Sequence, residues 1–132
     1  MKSTEELISE ASAMNAYLQQ EQQNDLGSLL ESLVKLEVYL ARANEMLAQA
    51  KARKEEATMA RIEDKGMLEN LPASLANKYL SASVRLENYA VDLLDGICST
   101  IRNSMDSKRT RISALKEEIR QLRSPDMFRP EH

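Results

Sequence analysis

A chain of 132 residues with 30% charged and 4% aromatic side chains, no Trp, one Phe, three Gly and three Pro has the composition of solvent-bathed helices and little of what a sheet needs. The length fits one domain, and a formal charge of -3 gives no global pull toward nucleic acid or acidic membranes. Glu5 and Glu6 stand where a signal peptide needs an apolar stretch, and no run approaches the roughly 18 apolar residues of a membrane span. A cytoplasmic chain with no membrane partner is expected.

The first element opens on Ser3 and Glu6 at capping-box spacing, followed by Leu7, Ala11, Met14 and Leu18 at helical intervals. This predicts a short amphipathic helix over about 4–20. The polar stretch from Gln19 to Asn24 has no apolar face and predicts a hinge.

Ser28 and Glu31 form a second capping box just after Gly27, with Asp25 as a competing cap. A helix over about 26–66 follows. Leu29, Leu33, Leu36, Leu40, Ala43, Leu47 and Ala50 recur every 3.5 residues, the spacing that keeps one seam against a partner helix. Val34, Val38, Ala41 and Ala48 broaden the stripe. From Lys51 to Lys65 charged residues dominate, which predicts an exposed end. Gly66 and Pro72 then mark the hairpin turn.

The third helix is predicted over about 73–123. Leu75, Tyr79, Ala82, Leu86, Tyr89 and Leu93 line its first half, and Leu94, Cys98, Ile101, Met105, Ile112, Leu115, Ile119 and Leu122 its second. A phase change at Leu93 and Leu94, followed by Gly96, predicts a bend there. Two prolines in the tail 124–132 end the helix and predict a flexible terminus, in which Phe128 is a candidate docking residue. Val34-Lys35-Leu36-Glu37 with Tyr39 echoes Val84-Arg85-Leu86-Glu87 with Tyr89, and either a duplication or a shared heptad background produces such an echo.

The expected fold is therefore all-α: an antiparallel coiled-coil-like hairpin of two long helices, with a short N-terminal helix that folds back or reaches a neighbouring subunit. Residues 1–123 form its single domain. Its association surface is expected at Leu29, Leu33, Leu36, Leu40, Leu47, Ile101, Met105, Ile112, Leu115, Ile119 and Leu122. A hairpin alone leaves part of these rows open, which predicts a dimer or larger homo-oligomer.

Catalytic chemistry finds few residues to work with. The single histidine is the terminal His132, so the commonest general base is missing from the body of the chain. Glu55 with Glu56, Glu63 with Asp64, and Asp92 with Asp95 read as solvated helix faces. One cysteine, Cys98, set among Leu94, Ile97 and Ile101, forms no internal disulfide and reads as a buried thiol. Zinc and di-iron sites lack their ligands, and Gly27, Gly66 and Gly96 are too scattered for a phosphate loop. No enzyme activity, metal or cofactor is expected. The methionines and the tyrosines Tyr17, Tyr39, Tyr79 and Tyr89 read as core packing.

Charge is distributed unevenly. Residues 1–50 hold three basic and eight acidic side chains, whereas residues 100–132 hold eight basic and five acidic. Complementary blocks of this kind help antiparallel helices or subunits choose an orientation. They also place Arg102, Lys108, Arg109, Arg111, Lys116, Arg120 and Arg123 along one helix, where nucleic-acid phosphates are the alternative partner. The stretch lacks aromatic side chains for base stacking, so a protein scaffold or adaptor is the primary reading.

The run Leu36-Glu37-Val38-Tyr39-Leu40-Ala41-Arg42 through Glu45-Met46-Leu47-Ala48-Gln49-Ala50-Lys51 resembles a segment of small helical proteins encoded in phage and prophage regions of gut bacteria. The resemblance implies a phage accessory protein. That family has no assigned activity, so it implies no site residues.

Overall fold

The computed structural model describes residues 1–20, 25–63 and 71–123. Four helices follow in order: α1 (Thr4–Gln20), α2 (Leu26–Glu63), α3 (Ala73–Ser83) and α4 (Arg85–Leu122). Among the described residues there is no strand, and the all-α class is as the composition implies.

Local hydrogen bonds fix where the helices begin. At α1 the Ser3 backbone N–H donates to Glu6 Oε1 at 3.4 Å, and the Glu6 N–H donates to Ser3 Oγ at 3.2 Å. This reciprocal pair satisfies two donors that no helical carbonyl can reach. At α2 the competing cap wins: the Ser28 N–H donates to Asp25 Oδ2 at 3.0 Å, and the Leu29 N–H to the Asp25 carbonyl at 2.9 Å. Asp25 therefore caps α2, and Ser28 and Gly27 lie inside it rather than before it.

The helix predicted over 73–123 is two helices, joined at Val84. Val84 has φ -113° and ψ 30°, its N–H reaches back to the Leu80 carbonyl at 3.3 Å, and its side chain is buried. Ser83 Oγ donates to the same Leu80 carbonyl at 2.9 Å. A hydroxyl bonded to a backbone carbonyl competes with the helical ladder and bends it. No chain break falls at Leu93, Leu94 and Gly96, which lie within the continuous helix α4. The predicted end of the second helix at 64–66, the turn at Gly66, the polar hinge beyond Gln20 and the tail 124–132 fall wholly or mostly outside the described residues.

The three longer helices form one core. Asn44 of α2 faces Cys98 and Arg102 of α4, while Lys54 and Thr58 share a groove with Val84 and Asn88, so α2 and α4 run antiparallel as the predicted hairpin. α1 folds back on it within the same chain. Lys2 meets Gln49, Glu10 meets Arg42 and Tyr17 meets Tyr39, an antiparallel register against α2. The apolar cluster takes Leu7, Ala11 and Met14 from α1, Leu36, Ala43, Met46 and Ala50 from α2, and Ala90, Leu94, Ile97, Cys98, Ile101 and Met105 from α4. Each helix supplies a stripe at 3- and 4-residue spacing, and burial of such stripes is the main stabilising term.

α3 adds nothing to this core, since none of its residues is buried. The echo between 34–39 and 84–89 also joins unlike environments: Leu36 is fully buried and Leu86 exposed, Val34 exposed and Val84 buried.

Candidate functional site

The predicted association residues divide by position along the bundle. Leu29, Leu36, Ile101, Met105 and Ile112 are buried, while Leu33, Leu40, Leu47 and Leu115 are half-buried beside them. Ile119 and Leu122 at the end of α4 are 37% and 58% exposed. Val34 and Val38, read as broadening the buried stripe, are exposed on the outer side of α2.

The basic row is corrected at one position. Lys108 is only 8% exposed, because it occupies the 4- and 3-residue spacing of Ile101, Met105, Ile112 and Leu115. Burial there removes it from the row of phosphate-facing cations. Arg109 bonds Asp106 at 3.4 Å and Arg120 bonds Glu117 at 2.6 Å on their own helix. Arg102 donates to Asn44 Oδ1 at 3.4 Å. Arg111, Lys116 and Arg123 lie on the exposed surface of α4.

Among the described residues the one cysteine is buried. Burial pushes the Cys98 thiol up from its ordinary pKa, and its Sγ donates to Asn44 Oδ1 at 3.4 Å. Such a thiol is a poor nucleophile. Among the described residues no group of three or more His, Cys, Asp or Glu side chains is placed to hold a metal ion, and no helix is long and apolar enough to cross a membrane.

What the surface does offer is apolar. At the end where α2 finishes and α3 begins, Met59, Ile62, Leu71, Leu75, Leu86 and Tyr89 are all exposed large side chains. Sequence reasoning placed Leu75, Leu86 and Tyr89 in a helix stripe and could not see that α3 leaves them open. The missing signal was the Val84 break, which ends the continuous helix that would have carried that stripe against α2.

No curated protein and no solved structure matches this chain. The family described as AAA lid domain matches residues 39–127, about two thirds of the chain. That span holds most of α2, all of α3 and α4, and every one of the six apolar residues exposed around the α3 end. It leaves out α1 and the first turns of α2, and on its coverage the chain belongs to the AAA lid domain family.

Proposed function

We propose that the chain is a non-catalytic helical protein-interaction module that docks on the body of an AAA-type ATPase through the apolar surface around α3. The observation that carries this reading is the coincidence of the exposed residues Met59, Ile62, Leu71, Leu75, Leu86 and Tyr89 with the family-matched span. Large apolar side chains left exposed at one end of a helical hairpin are candidates for a contact site. The sequence holds no Gly-rich phosphate loop, so the nucleotide-hydrolysing body is a different domain or chain. A phage or prophage source, implied by the run at 36–51, belongs to the same reading.

A photoreactive phenylalanine analogue placed at Leu75, with Asn103 on the exposed far side of α4 as the control position, tests the proposal in cells that carry the protein. The expected result is an adduct at Leu75, and none at Asn103, with a polypeptide containing a P-loop ATPase sequence. The isolated chain is expected to show no ATP turnover. Turnover by the isolated chain, or adducts that do not distinguish the two positions, overturns the reading.

Phosphate binding is supported less. With Lys108 buried and Arg109 and Arg120 paired to acidic neighbours, the basic row loses the continuous positive edge that counterion release requires.

A further inference from the structure

α3 and α4 meet without a residue that has to part them. From Ala73 to Leu93 the sequence holds neither Gly nor Pro, and Leu75, Tyr79, Ala82, Leu86, Tyr89 and Leu93 keep one alternating 4- and 3-residue spacing across the junction. The interruption is a single residue, Val84. Its N–H still bonds the Leu80 carbonyl at 3.3 Å, and its carbonyl still accepts the Asn88 N–H at 2.9 Å. Between them, the backbone N–H groups of Arg85, Leu86 and Glu87 bond no carbonyl of α3, as is usual for the first donors of a helix.

What holds the two halves apart is local. Val84 lies outside helical geometry with its side chain only 3% exposed, and with Leu80 and Asn88 it lines the groove beside Lys54 and Thr58 of α2. Ser83 Oγ donates to the Leu80 carbonyl at 2.9 Å, and Asn88 Nδ2 to the Ser81 carbonyl at 3.4 Å. The second of these occupies the acceptor that the Arg85 N–H takes in an unbroken helix. Joining the halves exchanges one buried valine and two side-chain bonds for three backbone bonds, which are quantities of the same order. α3 adds little resistance, since none of its residues is buried.

The two arrangements present different surfaces. α4 leaves Leu86 and Tyr89 exposed. In a helix running unbroken from 73 to 122, roughly 75 Å long at about 1.5 Å per residue, Leu75, Tyr79 and Ala82 fall in line with them. That makes one seam of the kind a partner helix packs along. The non-helical φ and ψ of Val84 take the α3 half of the seam out of line with the α4 half.

We propose that Ser83 and Val84 form a two-state hinge: α3 and α4 are separate helices in the free chain and join into one helix when a partner helix binds the seam. A partner that packs along the whole seam binds the joined form better, and that difference in affinity moves the hinge. The identity of the partner rests on the ATPase contact proposed above, whereas the hinge is a property of the chain alone.

Amide exchange followed by NMR on the full chain tests the hinge without a partner. In the wild-type chain the N–H groups of Arg85, Leu86 and Glu87 are expected to exchange within about tenfold of the open-chain rate. Ser83→Ala with Val84→Ala removes the hydroxyl and the buried side chain that favour the break, and is expected to slow all three by at least about tenfold while Leu94 and Ile97 stay unchanged. Arg85→Pro acts in the opposite direction, because proline suits the first position of a helix and interrupts an unbroken one. It is expected to leave Leu86 and Glu87 unprotected. Three amides already protected in the wild-type chain, or no slowing in the alanine pair, overturns the hinge.

The photoreactive analogue at Leu75 tests the link to binding. Adduct yield with the P-loop polypeptide is expected to rise in the alanine pair and to fall by at least about tenfold in Arg85→Pro. Equal yields from the three chains overturn the link even where the amides slow. No adduct from any of them sinks the ATPase contact, and the exchange result alone then decides the hinge.

Discussion

Glu10 accepts three charge-assisted bonds, and the two from Arg42 tie the first helix to the second. Its carboxylate accepts Arg42 Nε and Nη2, both at 2.8 Å, and the Lys2 ammonium at 2.7 Å. Arg42 reaches Glu45 as well, at 3.2 Å. The planar guanidinium and carboxylate match as a fork, which is stronger than a single ionic contact. The hydrogen bond from Arg42, followed by that from Lys2, lowers the Glu10 carboxyl from its ordinary 4.5 to about 2. A carboxyl whose pKa is depressed by folding contributes stability above its unfolded pKa and loses it as pH falls through the folded one. The urea midpoint is therefore expected to drop between pH 4.5 and about 2, and Glu10→Gln to remove that part of the acid dependence. At neutral pH the substitution costs about 1 kcal/mol, since the group is partly solvated. A variant with the wild-type acid profile would show that the pair holds nothing. Nothing in the sequence announces this contact, because Glu10 and Arg42 belong to different helices and carry no mutual spacing rule. The Ser3 and Glu6 cap was legible for the converse reason: its partners are three residues apart and the chemistry is local.

At the scale of an element, α4 shows phase outweighing residue type. The spacing from Ile101 to Leu122 fixed the buried face, and Lys108 falls on it, yet a lysine in a basic run reads as solvated until its phase is counted. It is buried at a position of the kind that holds apolar side chains in helical seams, where a lone polar residue sets register at a cost in stability. Lys108→Leu is expected to raise the free energy of unfolding by about 1 kcal/mol, as replacement of a buried ionic group by a well-packed apolar one often does. Urea denaturation measures this directly, and a lower midpoint would mean that the polar partners of Lys108 contribute more than its desolvation costs. The break between α3 and α4 was not legible in the sequence for a related reason. Gly96 has the weaker intrinsic helix propensity, but it lies in mid-helix with nothing within 4 Å of an added Cβ. Ser83, an ordinary-looking residue, supplies the bond to the Leu80 carbonyl that accompanies the actual break.

Across the whole molecule, burial is concentrated where three helices overlap and thins toward both ends. The core runs from Leu7, Ala11 and Met14 of α1 through Leu36–Ala50 to Ala90–Met105, so α1, although it lies outside the family-matched span, closes the hairpin over its middle. α3 sits beyond that overlap with no buried residue. Local opening costs free energy in proportion to the buried contacts that must be broken. Backbone amides of Ala73–Ser83 are therefore expected to exchange with deuterium at least about a hundredfold faster than those of 94–105, where Leu94, Cys98 and Ile101 are fully buried. Mass spectrometry of peptic fragments resolves the two segments. Equal protection would mean that α3 is anchored by more than its apolar burial supplies. The same measurement bears on the docking surface, because a partner seated on Leu75 and Tyr89 must slow exchange in α3 while leaving the already protected 94–105 segment unchanged. A segment that the chain itself holds weakly is thus the one whose ordering a bound ATPase body would change most.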